Sequence, residues 1–206
     1  MSYLRAATTS VCILAASACL SASDRETASG YRGRIFPDPR PKIDFTLKDT
    51  EGADFGFRQE TDGFVTLLFF GYTHCPDVCP IHMANIGAVL NGFPFELRRQ
   101  FKVVFVSTDP ERDTPERMRR WLDSFGTDFI GLTGPREQVN QIQVALGLPG
   151  SVIEETEGGE YLVGHSSSVL AFTKDNVAHV GYPFGTRQDD WAHDLPKLVD
   201  ERWGSR

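Results

Sequence analysis

The sequence lacks both a basic run and a long apolar run. Its 21 lysine and arginine residues are scattered along the chain against 28 acidic ones, for a formal net charge of −7. Affinity for nucleic acid depends largely on neutralising phosphates, so this charge pattern argues against nucleic acid as a partner. The apolar stretch at residues 6–18 is shorter than the ~20 residues that span a bilayer, and it does not predict a transmembrane helix.

The N-terminus has the pattern of an export signal. A short positive region that contains Arg5 precedes the apolar stretch, which ends in small residues, so residues 1–18 are predicted to be a signal. Residues 14–19 (LAASAC) resemble a bacterial lipoprotein signal, in which Cys19 becomes the lipid-bearing first residue. Ordinary cleavage after Ala18 and retention as a weak anchor are the alternatives. We therefore expect a protein anchored by its N-terminus in the periplasm or on another extracytoplasmic face of a bacterial membrane.

Cysteine is scarce in the remainder of the chain. Of four cysteines, two lie in the predicted signal region, which leaves Cys75 and Cys79 for the folded part. A structural disulfide across three intervening residues would close a tiny loop and remove little entropy from the unfolded chain. A lone close pair is better explained by redox or metal chemistry.

The chain divides into a polar segment and a globular domain. Residues 19–41 are polar, contain glycine and proline and show no sustained periodicity, so we predict a flexible tether, with an ordered arm as the alternative. Residues 42–206 are predicted to form the domain.

Hydrophobic patterning predicts a mixed α/β architecture for this domain. Continuous apolar runs at 65–70 and 101–106 indicate strands that are buried on both faces and joined through a helix at 77–90. Further helices are expected after Thr114 and Pro135 and at 189–202, where Pro196 should kink or divide the helix. Predicted β-hairpins comprise 43–47 with 53–57 and 169–172 with 177–182. The expected fold is a thioredoxin-like α/β fold with a mixed central sheet flanked by helices, plus β-hairpin insertions.

The cysteines fall at the end of the first buried strand, in the segment GYTHCPDVCP. Cys75 lies where backbone N–H groups and the helix dipole favour thiolate, and Cys79 follows one helical turn later, so two sulfurs can converge. Thiolates select soft ions such as Cu(I), and two ligands are too few for a closed zinc site. A third ligand must come from one of five histidines. His165 is the strongest candidate, because it precedes a buried strand and follows Gly164, which permits close backbone approach.

Three segments resemble the Sco/SenC family of copper chaperones, which assist assembly of the binuclear copper site of cytochrome c oxidase. They are GYTHCPDVCP, the DPERDTP segment that begins at Asp109, and the Gly164–His165–Ser166 stretch, where glycine replaces the family's acid. The resemblance covers nearly the whole chain.

The resemblance implies one copper ion, as Cu(I) or Cu(II), held by Cys75, Cys79 and His165. It also implies that the two cysteines cycle between dithiol and disulfide. The expected function is delivery of copper to the copper-bearing subunit of cytochrome c oxidase, with that subunit or another copper chaperone as partner. Because glycine stands before His165, we expect Asp109 or a backbone carbonyl to accept a hydrogen bond from its ring.

Two other functions use the same cysteines. A thiol–disulfide oxidoreductase that reduces the cysteines of the copper-site partner needs Cys75 and Cys79 but not His165. A peroxidase would need a separate peroxide pocket, and the sequence has no peroxiredoxin-like signature.

Among the other residues, we interpret Asp109 as part of a turn, Asp113 as the start of a helix, and the acidic segment 154–159 as a solvated loop tip.

Overall fold

The computed structural model describes residues 30–156, 158–200 and Trp203. The predicted signal at 1–18 and the predicted lipid attachment residue Cys19 lie outside these residues. Within them, no helix combines the length and the apolar character needed to cross a membrane.

The described part of the chain forms ten strands and six helices in a mixed order. The strands are β1 (Arg34–Pro41), β2 (Thr46–Asp49), β3 (Asp54–Gly56), β4 (Val65–Gly71), β5 (Phe101–Ser107), β6 (Ile130–Thr133), β7 (Val152–Glu155), β8 (Tyr161–Gly164), β9 (Val169–Phe172) and β10 (Val177–Tyr182). The helices are α1 (Phe57–Glu60), α2 (Val78–Asn91), α3 (Phe95–Arg98), α4 (Pro115–Asp123), α5 (Arg136–Ala145) and α6 (Gln188–Asp200).

Eight of these strands form one sheet in the order β1-β10-β9-β4-β5-β6-β2-β3. The central strands β4, β5 and β6 are parallel, and the remaining pairs are antiparallel. Strands β7 and β8 pair only with each other, as a separate hairpin. The predicted mixed central sheet flanked by helices is confirmed.

Strand β4 is buried along its whole length, because helices cover both faces of the sheet. Leu67 and Phe69 belong to the core on one face, and Leu68 and Phe70 to the core on the other. The first core also contains buried residues of α2, α4 and α6, namely Met83, Ile86, Met118, Leu122, Trp191 and Leu195. Helix α5 contributes Val139 and Ile142 to the second.

Local sequence signals set the ends of several elements as predicted. The Thr114 hydroxyl accepts a hydrogen bond from the Arg117 backbone N–H, and Pro115 occupies the first turn of α4. Pro196 was predicted to kink or divide the last helix, and α6 runs continuously through it, so the proline does not divide the helix. Packing of buried Trp191 and Leu195 against the sheet holds this helix together despite the missing N–H.

The flexible tether was predicted to extend to residue 41, but the ordered domain begins before that residue. Tyr31 is fully buried, and the Asp194 carboxylate accepts hydrogen bonds from the backbone N–H groups of Arg32 and Gly33. Residues 34–41 then form β1, an edge strand paired with β10. Proline is tolerated on an edge strand, so a composition that is typical of a linker was compatible with a strand.

Two further features were not predicted. Strand β6 adds a third parallel strand between α4 and α5. The acidic segment interpreted as a loop tip lies partly in the β7–β8 hairpin, in which Glu154 and Glu155 are strand residues. All four residues of β7 are exposed, so this strand carries no buried pattern that could have identified it.

Candidate metal centre

The two cysteines lie on either side of the start of α2. Strand β4 ends at Gly71, residues 72–77 form a loop that contains Cys75, and Cys79 is in the first helical turn. Pro80 does not distort this helix, because a first-turn N–H has no intrahelical acceptor to lose. The backbone N–H of Cys79 donates to the Cys75 sulfur over 3.5 Å. The helix N-terminus therefore holds the first sulfur directly.

A buried carboxylate anchors the loop that carries Cys75. Asp113 accepts hydrogen bonds from the Thr73 backbone N–H, the Thr73 hydroxyl at 2.6 Å and the Ser107 hydroxyl at 2.7 Å. His74 Nδ1 lies 3.6 Å from the same carboxylate. Asp113 does precede α4, but its side chain also positions the cysteine loop, which the sequence did not indicate.

His165 reaches the sulfurs from the end of β8. Its Nε2 atom is 3.5 Å from the Cys79 sulfur, and its Nδ1 atom is 2.9 Å from the Ser166 carbonyl oxygen. A carbonyl can only accept, so this contact places a proton on Nδ1, and the Nε2 atom is the ring nitrogen that faces the sulfurs. Of the two hydrogen-bond acceptors expected for this ring, the backbone carbonyl is the one observed.

The three predicted ligand atoms converge, all within 4.8 Å of one another. Cys79 is fully buried, whereas Cys75 and His165 are partly exposed. Neither Cys75 nor Cys79 forms a disulfide. Two sulfurs and one imidazole nitrogen form an open donor set suited to a soft metal ion, with room for a further ligand on the exposed side.

The two sulfurs differ in protonation. Hydrogen bonding from the Cys79 side chain, supported by the His165 side chain and by the backbone N–H groups of Asp77 and Cys79, lowers the pKa of Cys75 to about 3. Burial, together with the adjacent Cys75 sulfur, raises the pKa of Cys79 well above its ordinary value. In the metal-free protein the site therefore pairs an accessible thiolate with a buried thiol.

Of the other histidines, His82 supports the site without entering it. It is buried on α2, and its Nε2 atom lies 2.9 Å from the Ser167 carbonyl oxygen in the loop after His165. The neighbouring Met83 lies in the hydrophobic core. His179 is partly exposed and stacks on Trp203 with ring centroids 4.1 Å apart.

A second group of possible ligand atoms comprises His74, Asp109 and Asp113. Its carboxylates already have partners. Asp109 is fully buried, pairs with Arg112 at 2.5 Å and accepts a hydrogen bond from the Tyr161 hydroxyl at 2.9 Å. Because Tyr161 begins β8, Asp109 connects the loop after β5 to the hairpin that carries His165. We interpret this cluster as a structural brace and not as a metal site.

A carboxylate does lie beside the glycine that replaces the family's acid. A Cβ atom built on Gly164 would be 3.0 Å from Glu154 Oε1, on the neighbouring strand β7. Glu154 therefore fills space that a side chain at position 164 would need. Spacing along the sequence could not show this, because the two residues meet only across the β7–β8 ladder.

The sheet topology and the position of the site define the class. A cysteine pair between a central parallel strand and its helix, in a mixed sheet covered by helices, is the arrangement of a thioredoxin-like domain.

Comparison with known proteins then identifies the family. The profile of the SCO1/SenC family matches residues 37–200, and the chain belongs to this family. A "Putative copper-binding protein" of Stutzerimonas stutzeri is 35% identical over 165 residues, which cover 79% of each chain. The mitochondrial "Protein SCO2 homolog" of Bos taurus is 33% identical over 140 residues, which cover 65% of this chain and 50% of that protein.

Solved structures of relatives share the fold. Apo Sco1 from Thermus thermophilus matches with a TM-score of 0.71 and 32% identity, over 82% of this chain and 97% of that chain. Bradyrhizobium japonicum ScoI with copper bound matches with a TM-score of 0.68 and 29% identity, over 77% and 99% of the respective chains.

Proposed function

We propose that this protein binds one copper ion through Cys75, Cys79 and His165. The observation that carries the proposal is the convergence of these three ligand atoms, with the Nε2 atom of His165 facing the sulfurs. Thiolate and imidazole ligands suit Cu(I), and they can also hold Cu(II). The copper-binding relatives support this choice of metal.

The second part of the proposal is copper delivery. Three protein ligands leave the exposed side of the site open, so a thiolate of a partner can enter and take over the ion by ligand exchange. In keeping with the family resemblance, the proposed recipient is the copper-bearing subunit of cytochrome c oxidase or another copper chaperone. Delivery would occur at the extracytoplasmic face of a membrane, with the protein tethered through its N-terminus.

Metal analysis of the reduced protein tests the ligand set. We expect about one copper per chain, with affinity reduced by roughly 10- to 100-fold or more in Cys75→Ser, Cys79→Ser and His165→Ala, because each removes a direct ligand. His193→Gln, remote from the sulfurs, is the control and should bind copper as the parent does. If His165→Ala holds copper as tightly as the parent, the assignment of His165 is wrong.

A thiol–disulfide oxidoreductase is the second candidate function, and the unequal protonation of the two sulfurs favours it. The exposed Cys75 thiolate can attack a partner disulfide, and Cys79 can then resolve the mixed disulfide. His165→Ala separates the two functions. Reduction of a model disulfide should persist in this variant while copper affinity falls, whereas Cys75→Ser should abolish disulfide reduction and also weaken copper binding.

A further inference from the structure

The pocket beside Cys75 has a distinct electrostatic character. It has a volume of about 250 Å³ and is lined by the cysteine loop, the start of α2 and the β7–β8 hairpin. Asp77 and Glu154 are the acidic side chains in this lining, and among the described residues no lysine or arginine contributes to it. The approach to the sulfur is therefore negatively charged.

Within the described part of the chain, neither carboxylate is paired with a cation. Asp77 occupies the residue before α2 but makes no capping hydrogen bond, and no salt bridge involves it or Glu154. Both residues are exposed. By contrast, Asp109 behind the hairpin is paired with Arg112. Two unpaired carboxylates therefore lie on the side from which a partner must reach Cys75.

The same side of the hairpin is also apolar. Glu154 lies opposite Leu162 in the β7–β8 register, and Val152 lies opposite Gly164, so these residues share one face of the hairpin. Leu162 is 41% exposed and Val152 is 60% exposed. A surface that combines exposed aliphatic side chains with unpaired carboxylates is complementary to a segment that carries both apolar and positively charged residues.

We propose that this face and the pocket beneath it dock a cationic, thiol-bearing segment of a partner protein, and that Asp77 and Glu154 select its positive charge. The proposal rests on the proposed function, in which a partner's sulfur must approach Cys75. It adds the chemical character of that partner, which ligand geometry alone does not specify.

Charged thiol reagents test this selectivity in the reduced, metal-free protein. The cationic probe is 2-(trimethylammonium)ethyl methanethiosulfonate and the anionic probe is 2-sulfonatoethyl methanethiosulfonate. With either one, the Cys75 thiolate attacks the sulfenyl sulfur, a mixed disulfide forms, and methanesulfinate leaves with the bonding electron pair. A Cys79→Ser background traps this product, and mass spectrometry of the peptide that contains Cys75 measures the rate.

The quantity compared is the ratio of the cationic to the anionic rate constant, divided by the same ratio for free 2-mercaptoethanol. We expect a normalised ratio well above unity that falls about two- to threefold in Glu154→Gln and in Asp77→Asn. The matched control is Glu155→Gln, which removes the same charge from the opposite face of β7 and should leave the ratio unchanged. Salt at about 1 M should bring the ratio of the parent close to unity.

A normalised ratio near unity, insensitive to both substitutions, would overturn the docking proposal. Equal effects of Glu154→Gln and Glu155→Gln would also overturn it, because they would indicate the overall charge of the protein and not this face. Copper takes no part in this reaction, so the reagent rates test the docking proposal alone. The copper-binding function is tested separately, by metal analysis of the ligand variants.

Discussion

At the scale of single residues, the site depends on one cysteine being exposed and the other buried. Cys75 precedes α2 and accepts a hydrogen bond from a first-turn N–H, whereas Cys79 is enclosed between the helix and the sheet. The same spacing of four residues therefore produces a thiolate and a thiol. His165 adds a nitrogen, and one backbone carbonyl orients its ring by accepting a hydrogen bond from Nδ1.

The rate at which Cys75 is alkylated should report its thiolate form directly. We expect the rate of alkylation by iodoacetamide in the reduced, metal-free protein to stay nearly constant from about pH 8 to pH 5, because the thiolate form persists well below its ordinary range. The rate should fall only as the pH approaches about 3. Cys79→Ala should move this fall to higher pH, since Cys79 is the largest cause of the lowered pKa. A rate that increases steeply between pH 7 and 9 would contradict the assignment.

At the scale of secondary-structure elements, the site depends on how closely β4 approaches α2. Gly71 ends β4 directly beneath the Cys79 sulfur, with the Phe69 and Phe105 rings on either side. The hydrogen bond of His82 to the Ser167 carbonyl ties α2 to the loop after β8. Strand, helix and loop are thus held at separations that leave no room for an additional methyl group.

Gly71→Ala tests this close packing. The added Cβ would lie 2.8 Å from the Cys79 sulfur and 2.9 Å from a Phe69 ring carbon, so the helix or the strand must shift. We expect the free energy of unfolding, measured by chemical denaturation, to fall by about 1–3 kcal/mol, with copper affinity reduced as well. Gly56→Ala is the control, because its nearest neighbour would be an ordinary 3.8 Å away. Equal stability of the two variants would show that the contact between β4 and α2 at Gly71 is not tightly packed.

At the scale of the whole molecule, a buried lysine connects the segment between β1 and β2 to the central strand β4. The Lys42 ammonium donates hydrogen bonds to the Thr61 carbonyl and hydroxyl and to the Thr66 hydroxyl, and it lies within 6 Å of the Phe57 and Phe172 ring centroids. No carboxylate within the described residues forms a salt bridge with it. Burial lowers its pKa to about 8.

This lysine should make stability depend on pH in the alkaline range. Between about pH 8 and pH 10.5 the unfolded state binds a proton at Lys42 that the folded state has released. The free energy of unfolding should therefore rise with pH across this window. Relative to Lys42→Met, we expect a gain of about 2 kcal/mol, measured by urea denaturation at several pH values. Comparison with the variant cancels the contributions of the other titrating groups. If the free energy of unfolding depends on pH in the same way in both proteins, the lowered pKa of Lys42 is contradicted.

The elements with strong local signals were predicted, and those without were missed. The apolar runs identified β4 and β5, and the Thr114-Pro115 pair identified the start of α4. Strand β1 was missed because its prolines are typical of a linker, and β7 because it buries none of its residues. Edge strands and projecting hairpins lack the burial pattern on which such predictions depend.

The sequence by itself determined that two cysteines would lie at the start of a helix after a buried strand, because spacing and apolar patterning are local properties. It determined the choice of His165 only with the help of the family resemblance. Tertiary structure alone decided that Asp113 anchors the cysteine loop, that His82 holds the loop after His165, and that Glu154 stands beside Gly164. These contacts join residues far apart in the chain, and their geometry exists only once the sheet and the hairpin have assembled.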